Sequence, residues 1–305
     1  MAKLTDEQFS AYLAEAKKKL SAELPIAAEK KINYGYQYSV KLAEAKLTLN
    51  IYNGKKGLNV VYSGDSALAE RAAALLEGRR AQAAAPATFV TDGLWAGSDE
   101  SGKGDFFGSL VVAAVVVDNS TADKLRAAGV KDCKLLTDKK ILELEDIIKA
   151  SVVDYSVLEL KPRVYNLRYE QVAAQGGKLN QLLGYGHVAA LSKVLEKHED
   201  CHSALIDQFT TSMVNIRALK QRFPQCDVRQ QPKAESNLAV AAASVLARVQ
   251  FLHTMAALAV EAGVQELPKG GGAQATACAR ELAAKYGKEA LRNYVKLHFA
   301  NYQRV

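Results

Sequence analysis

Cysteine is scarce and scattered: Cys133, Cys201, Cys226 and Cys278 form no C-x-x-C pair, so the sequence holds neither a zinc-binding pattern nor a disulfide framework. A reducing, cytoplasmic setting is the expectation. Long hydrophobic runs are also missing. The longest uninterrupted apolar stretch, residues 110–117, falls far short of a membrane span, and the polar start MAKLTDEQFSAYLAEAKKKL does not read as a secretion signal. No internal repeat is visible, which argues against a solenoid. Disorder is disfavoured too, because 49% of the 305 residues are hydrophobic, enough for one large core and one small one.

What is present is a positive balance. The formal charge is +7 and the pI about 9.0. Residues 1–80 alone carry 13 Lys or Arg against 9 Asp or Glu. A polyanionic partner suits such a surface, since lysines that neutralise phosphates release condensed counterions.

Local patterns divide the chain. Thr5 with Gln8 spells a capping box, and Phe9, Leu13, Ala16 and Leu20 recur at helical spacing. After Pro25 the period becomes two: Tyr34, Tyr36, Tyr38 and Val40 share one strand face, then Leu47, Leu49 and Ile51 alternate with Lys46, Thr48, Asn50 and Tyr52. The NGKKG turn at 53–57, with Lys55 and Lys56 read as solvated, leads to a third strand at 58–62. A helix at 66–78 closes a small α+β domain over residues 1–80. The Ala-rich stretch 81–93 suits a linker, and residues 94–305 read as one α/β domain. Strands are expected there at 94–98, 110–118, 152–160 and 204–207, and helices at 141–150, 178–197 and 238–263.

The densest chemistry is GSDESGKGDFFGS at 97–109. Its G-x-x-x-x-G-K portion imitates a phosphate-binding loop, but Gly104 occupies the place of the magnesium-binding hydroxyl, and Asp99 and Glu100 would repel phosphate. Adjacent carboxylates at a strand end suit hard divalent cations better. A site with two such ions, which can activate water and stabilise a leaving oxygen, needs further acids. Asp207 follows the apolar run 204–206 and Glu235 precedes the Ala-rich helix. A turn or cap would account for Asp207, and first-turn stabilisation of a helix for Glu235, so both readings stand. Gly102, Lys103 and Gly104 suit close approach to a nucleic-acid strand, backbone N–H groups reaching ribose 2′-hydroxyls and Lys103 a phosphate. A tight turn with a solvated lysine is the alternative. His187, His202 and His298 are each isolated in helical or apolar surroundings and read as structural.

The strings DESGKGDFFGSLVVAAVVV, GVKDCKLLTDKKI, YNLRYEQ, LNQLLGYGHVAAL, LIDQFT, KAESNLAVAAASVLARV, LPKG and KLHFANY, in that order over residues 94–305, resemble ribonuclease HIII, a bacterial type 2 ribonuclease H. The resemblance implies a ribonuclease H-like mixed sheet flanked by helices, and an N-terminal domain similar to half of a TATA-box-binding protein that engages an RNA/DNA hybrid. It implies endonucleolytic hydrolysis of the hybrid's RNA strand by two Mg2+ or Mn2+ ions, leaving 5′-phosphate and 3′-hydroxyl ends. The catalytic, metal-binding acids then map to Asp99, Glu100, Asp207 and Glu235, the last where ribonuclease HII carries Asp. The GKG triplet matches the GRG of ribonuclease HII. Lys134 resembles a substrate-contacting lysine, with Cys133 in place of the usual Ser. A monomer without membrane association is expected. The rival class is a hybrid-binding protein that has lost its chemistry, and a third is a different nuclease lacking the ribose-reading loop.

Overall fold

A computed structural model describes residues 4–42, 45–54, 57–77, 89, 91–210 and 212–305. Lys55, Lys56, the glycine end of the helix at 66–78 and most of the linker at 81–93 lie outside the described residues. The chain forms two compact units, Met1–Thr88 and Phe89–Val305.

The first unit opens with α1 (Asp6–Ser21), where the capping box forms as expected: the Thr5 hydroxyl accepts from the Gln8 amide, and the Gln8 side chain accepts from the Thr5 amide. Four antiparallel strands follow in sequential order, β1 (Ile26–Ile32), β2 (Gly35–Leu42), β3 (Ala45–Gly54) and β4 (Gly57–Gly64), and then α2 (Ser66–Glu77). Leu20, Val40, Leu47, Leu49, Ile51, Leu68 and Ala72 form the core between the sheet and its helices. The sequence reading found only three of these strands. β1 is an edge strand, charged and largely exposed, so it lacks the alternation that marks a half-buried strand. The tyrosine row also breaks. Tyr34 lies in the β1–β2 turn at φ +60° and is 81% exposed, whereas Tyr38 is buried beneath α1 and donates to the Leu13 carbonyl at 3.3 Å.

The second unit is a five-stranded mixed sheet between helical layers. It comprises β5 (Leu94–Ser101), β6 (Leu110–Val117), α3 (Asn119–Ala127), α4 (Asp138–Ser151), β7 (Asp154–Leu160), α5 (Pro162–Ala174), α6 (Leu179–Leu195), β8 (Cys201–Asp207), α7 (Val214–Arg222), β9 (Asp227–Gln231), α8 (Leu238–Ala262), α9 (Ala273–Tyr286) and α10 (Ala300–Gln303). The strand order is β7-β6-β5-β8-β9, with β5, β8 and β9 parallel to one another and β6 antiparallel to both of its neighbours. Every residue of β6 is buried, the pattern of a strand covered on both faces. Its side chains split by parity: Val111, Ala113, Val115 and Val117 pack with α3, α4 and α8, while Val112, Ala114 and Val116 pack with α6 and α7.

Among the described residues α8 is the helix long and apolar enough to cross a membrane, and most of its residues are buried in the interior of this unit. It packs very close to β5. A Cβ on Gly97 would fall 2.2 Å from the Val240 nitrogen, so only glycine permits that approach. α3, α5, α7, α9, α10 and β9 escaped the sequence reading, being short or weakly patterned.

Candidate active site

Parallel pairing of β5 with β8 sets the site. The register places Ser98 beside Ile206, the last pair between these two strands, so the next residues, Asp99 and Asp207, stand side by side where β5 and β8 part, Asp99 still paired with β6 and Asp207 with β9. Glu100 follows on β5. Glu235 lies in a single 3-10 turn, Ala234–Ser236, directly before α8, and the Ala234 amide donates to Asp207 Oδ1 at 3.1 Å. Lys233, just ahead of it, adopts left-handed backbone at φ 56°, a conformation unusual outside glycine.

Asp99 is 5% exposed, and its Oδ1 accepts from the Glu100 amide at 2.7 Å. Burial and then the charge of Glu100 hold its carboxyl well above the usual carboxylate range, with Asp207 adding to the rise and the Glu100 N–H opposing it. Asp207 is raised by burial and by Glu235, against the Ala234 N–H and Lys134. Glu100 goes the other way. Burial works to raise it, but the hydrogen bond and charge of His187, then Lys103, bring it below its ordinary value. Lys134 is raised despite its burial, because Asp132, Asp99, Glu235 and Asp207 all favour its charged form. The four acids singled out in the sequence therefore share one electrostatic neighbourhood with Lys134.

A cleft of about 580 Å³ is lined by Asp99, Glu100, Gly102, Lys103, Gly104, Lys134 and Asp207, with Cys133, Asp138, Phe209 and Arg248 among its other walls. Glu235 does not line it. Gly102 is at φ +85°, and a Cβ there would meet the Ser109 carbonyl oxygen at 2.1 Å. Gly104 faces open space. Lys103 Nζ is 3.5 Å from Glu100 Oε1 and 6.0 Å from the Phe209 ring centre. Lys134 Nζ lies 4.0 Å from Asp132 Oδ2, and the Lys134 amide is held by Asp132 Oδ1 at 3.0 Å.

Several participants were not legible as such. Asp132 lies in the string GVKDCKLLTDKKI, where only Lys134 and Cys133 draw notice. Asp138 is tied to Arg248 at 3.1 Å and to Lys269 at 2.6 Å, partners more than a hundred residues away. His187, set aside as structural, contacts Glu100 Oε2 through Nε2 at 3.2 Å. No local signal could have linked these pairs.

Among the described residues no three His, Cys, Asp or Glu side chains are arranged to hold a metal ion. The donor chemistry nonetheless fits a hard divalent cation: carboxylate oxygens on two neighbouring strands, in groups whose charged forms are disfavoured by burial and by neighbouring acids.

Residues 96–302 match the model of the family described as Ribonuclease HII. Ribonuclease HIII of Chlamydia pneumoniae is 38% identical over 211 residues, covering 68% of this chain and 69% of that protein. Ribonuclease HIII of Protochlamydia amoebophila (strain UWE25) is 38% identical over 203 residues, where the match spans 67% of this chain and 65% of the relative. The crystal structure of Bst-RNase HIII in complex with Mn2+ superposes with a TM-score of 0.64 at 29% identity, covering 99% of this chain and 96% of that one. The fold is also that of Aquifex aeolicus RNase H3, with a TM-score of 0.55 at 24% identity over 97% of this chain and 98% of that one.

Proposed function

The chain belongs to the ribonuclease HII family, on its ribonuclease HIII side, and from that premise we propose that it is an endonuclease hydrolysing the RNA strand of RNA/DNA hybrids. The observation that carries the reading is the meeting of Asp99 and Asp207 at adjacent strand ends, with Glu235 tied to Asp207 through the Ala234 amide. Asp99, Glu100, Asp207 and Glu235 are the residues that would hold two divalent ions, Mg2+ or Mn2+. Such ions supply a nucleophilic water at neutral pH and neutralise charge on the leaving oxygen. The solved relative bound to Mn2+ supports a divalent cofactor.

The remaining steps rest on this chain's own groups. Gly104 leaves its backbone bare and Gly102 makes the tight turn against Ser109 and Phe251, so that N–H groups of this turn reach ribose 2′-hydroxyls and restrict cutting to RNA. Lys103 and Lys134 neutralise backbone phosphates beside the cut. In-line attack by water on the phosphate expels the 3′ oxygen and leaves a 5′-phosphate and a 3′-hydroxyl.

The N-terminal unit serves as a hybrid-binding domain. On the sheet face away from its helices stand Lys30, Gln37, Lys41, Lys46, Thr48, Asn50 and Tyr52, and among the described residues of that face there is no Asp or Glu. Gln37 donates to Asn50 Oδ1 at 2.7 Å, which keeps both amides on the surface. A basic, acid-free sheet face suits a phosphate-lined groove.

The deciding experiment is cleavage of an end-labelled RNA/DNA hybrid beside matched DNA/DNA and RNA/RNA duplexes, with Mg2+, Mn2+ or chelator. Metal-dependent cutting of the hybrid's RNA strand alone is the expected result. Hybrid binding without cutting would replace the reading with a non-catalytic one.

A further inference from the structure

Ser98, His187 and Glu100 make a hydrogen-bonded line from the interior of the sheet to the cleft. His187 is fully buried on α6, where Leu183, Gly186, Ala190 and Leu191 are buried too. Its Nδ1 lies 2.7 Å from Ser98 Oγ and its Nε2 lies 3.2 Å from Glu100 Oε2. The ring stacks on Phe209 with centroids 4.8 Å apart and planes 7° from parallel. With Nε2 carrying a proton, the ring donates to the carboxylate while Nδ1 accepts from the Ser98 hydroxyl. Ser98 is itself fully buried.

A histidine needed only for packing has no use for this arrangement. Burying an imidazole costs free energy unless both nitrogens are satisfied, and a leucine fills similar space without that cost. The line has a directional consequence. Oε2 of Glu100 is engaged by His187, which leaves Oε1, 3.5 Å from Lys103 Nζ, as the oxygen facing the lysine of the GKG loop.

We propose that His187 is a positioning residue for Glu100, gripping Oε2 so that Oε1 is offered to the cleft in one orientation, with Ser98 and Phe209 fixing the ring. The inference rests on the reading of Glu100 as a metal-holding acid. A partner that orients a ligating carboxylate typically changes metal affinity by about 10–100-fold when removed.

The test is calorimetric Mn2+ binding to the full chain, run beside thermal melting and steady-state cleavage. His187→Leu is expected to weaken Mn2+ binding by about 10–100-fold and to lower kcat at limiting metal, with the KM for hybrid nearly unchanged. His187→Gln, whose Nε2 can reach the same oxygen, is expected to recover most of the affinity. In a Glu100→Ala background, His187→Leu should have no further effect. Wild-type affinity in His187→Leu, with affinity lost in Glu100→Ala, overturns the positioning role alone. Wild-type affinity in Glu100→Ala overturns the metal reading beneath it. Should His187→Leu melt early, Ser98→Ala decides, since it keeps the ring and removes only its hydroxyl partner: weakened Mn2+ binding supports the role and unchanged binding overturns it.

Discussion

Lys296 Nζ donates to the Gly108 carbonyl at 2.7 Å from a fully buried position, and it also reaches the Asp105 carbonyl at 2.9 Å. A residue near the end of the chain thus pins the segment that follows the GKG triplet. Lys296→Met keeps the volume but leaves buried carbonyls unpaired, which should cost about 2–4 kcal/mol. Urea melts check the stability, and a raised KM for hybrid checks the loosened loop.

Asp99→Asn should abolish cleavage while stabilising the metal-free protein. The folded state holds the Asp99 carboxyl above its ordinary range, through burial and then through Glu100, so its charged form is penalised at neutral pH. Removing the charge lifts that penalty, and a gain of about 1 kcal/mol raises Tm by roughly 2–4 °C in a unit of this size. The advantage shrinks as pH falls, because wild-type Asp99 then takes up its proton in the folded state before the unfolded chain does. Calorimetric melts of both proteins in chelator across mildly acid to neutral pH test the sign.

Gly102→Ala and Gly104→Ala should part ways. Alanine at 102 meets both a left-handed backbone and the Ser109 carbonyl, so it should lose activity by about tenfold or more together with about 1–3 kcal/mol of stability. Alanine at 104 meets open space and should melt like wild type, with any loss confined to hybrid affinity. Thermal melts beside hybrid titrations separate the two.

Replacing Lys30, Lys41 and Lys46 together by alanine should weaken hybrid binding and flatten its dependence on salt, the slope falling by about one for each phosphate contact removed. Cleavage of saturating hybrid should keep its kcat. Affinities measured across a salt series check this, and an unchanged slope would remove the N-terminal sheet face from the binding surface.

The legible features were those whose cause lies within a few residues. Thr5 and Gln8 cap α1 because the groups they satisfy are three residues apart. The run Leu110–Val117 announced a strand through composition alone, and Asp99 with Glu100 stood out because they are neighbours in the chain. β1 was invisible because its identity comes from pairing with β2 and not from its own pattern.

The sequence alone thus determined the α/β character of the large unit, the strand-end acid pair and the glycine turn beside it. Tertiary structure decided which distant groups serve them: the Ala234 amide on Asp207, His187 on Glu100 across 87 positions, and Lys296 on the loop of Gly108. The physical reason is that periodicity and capping act between near neighbours, whereas hydrogen bonds in a dry interior depend on which strand ends and helix faces the packed core brings together.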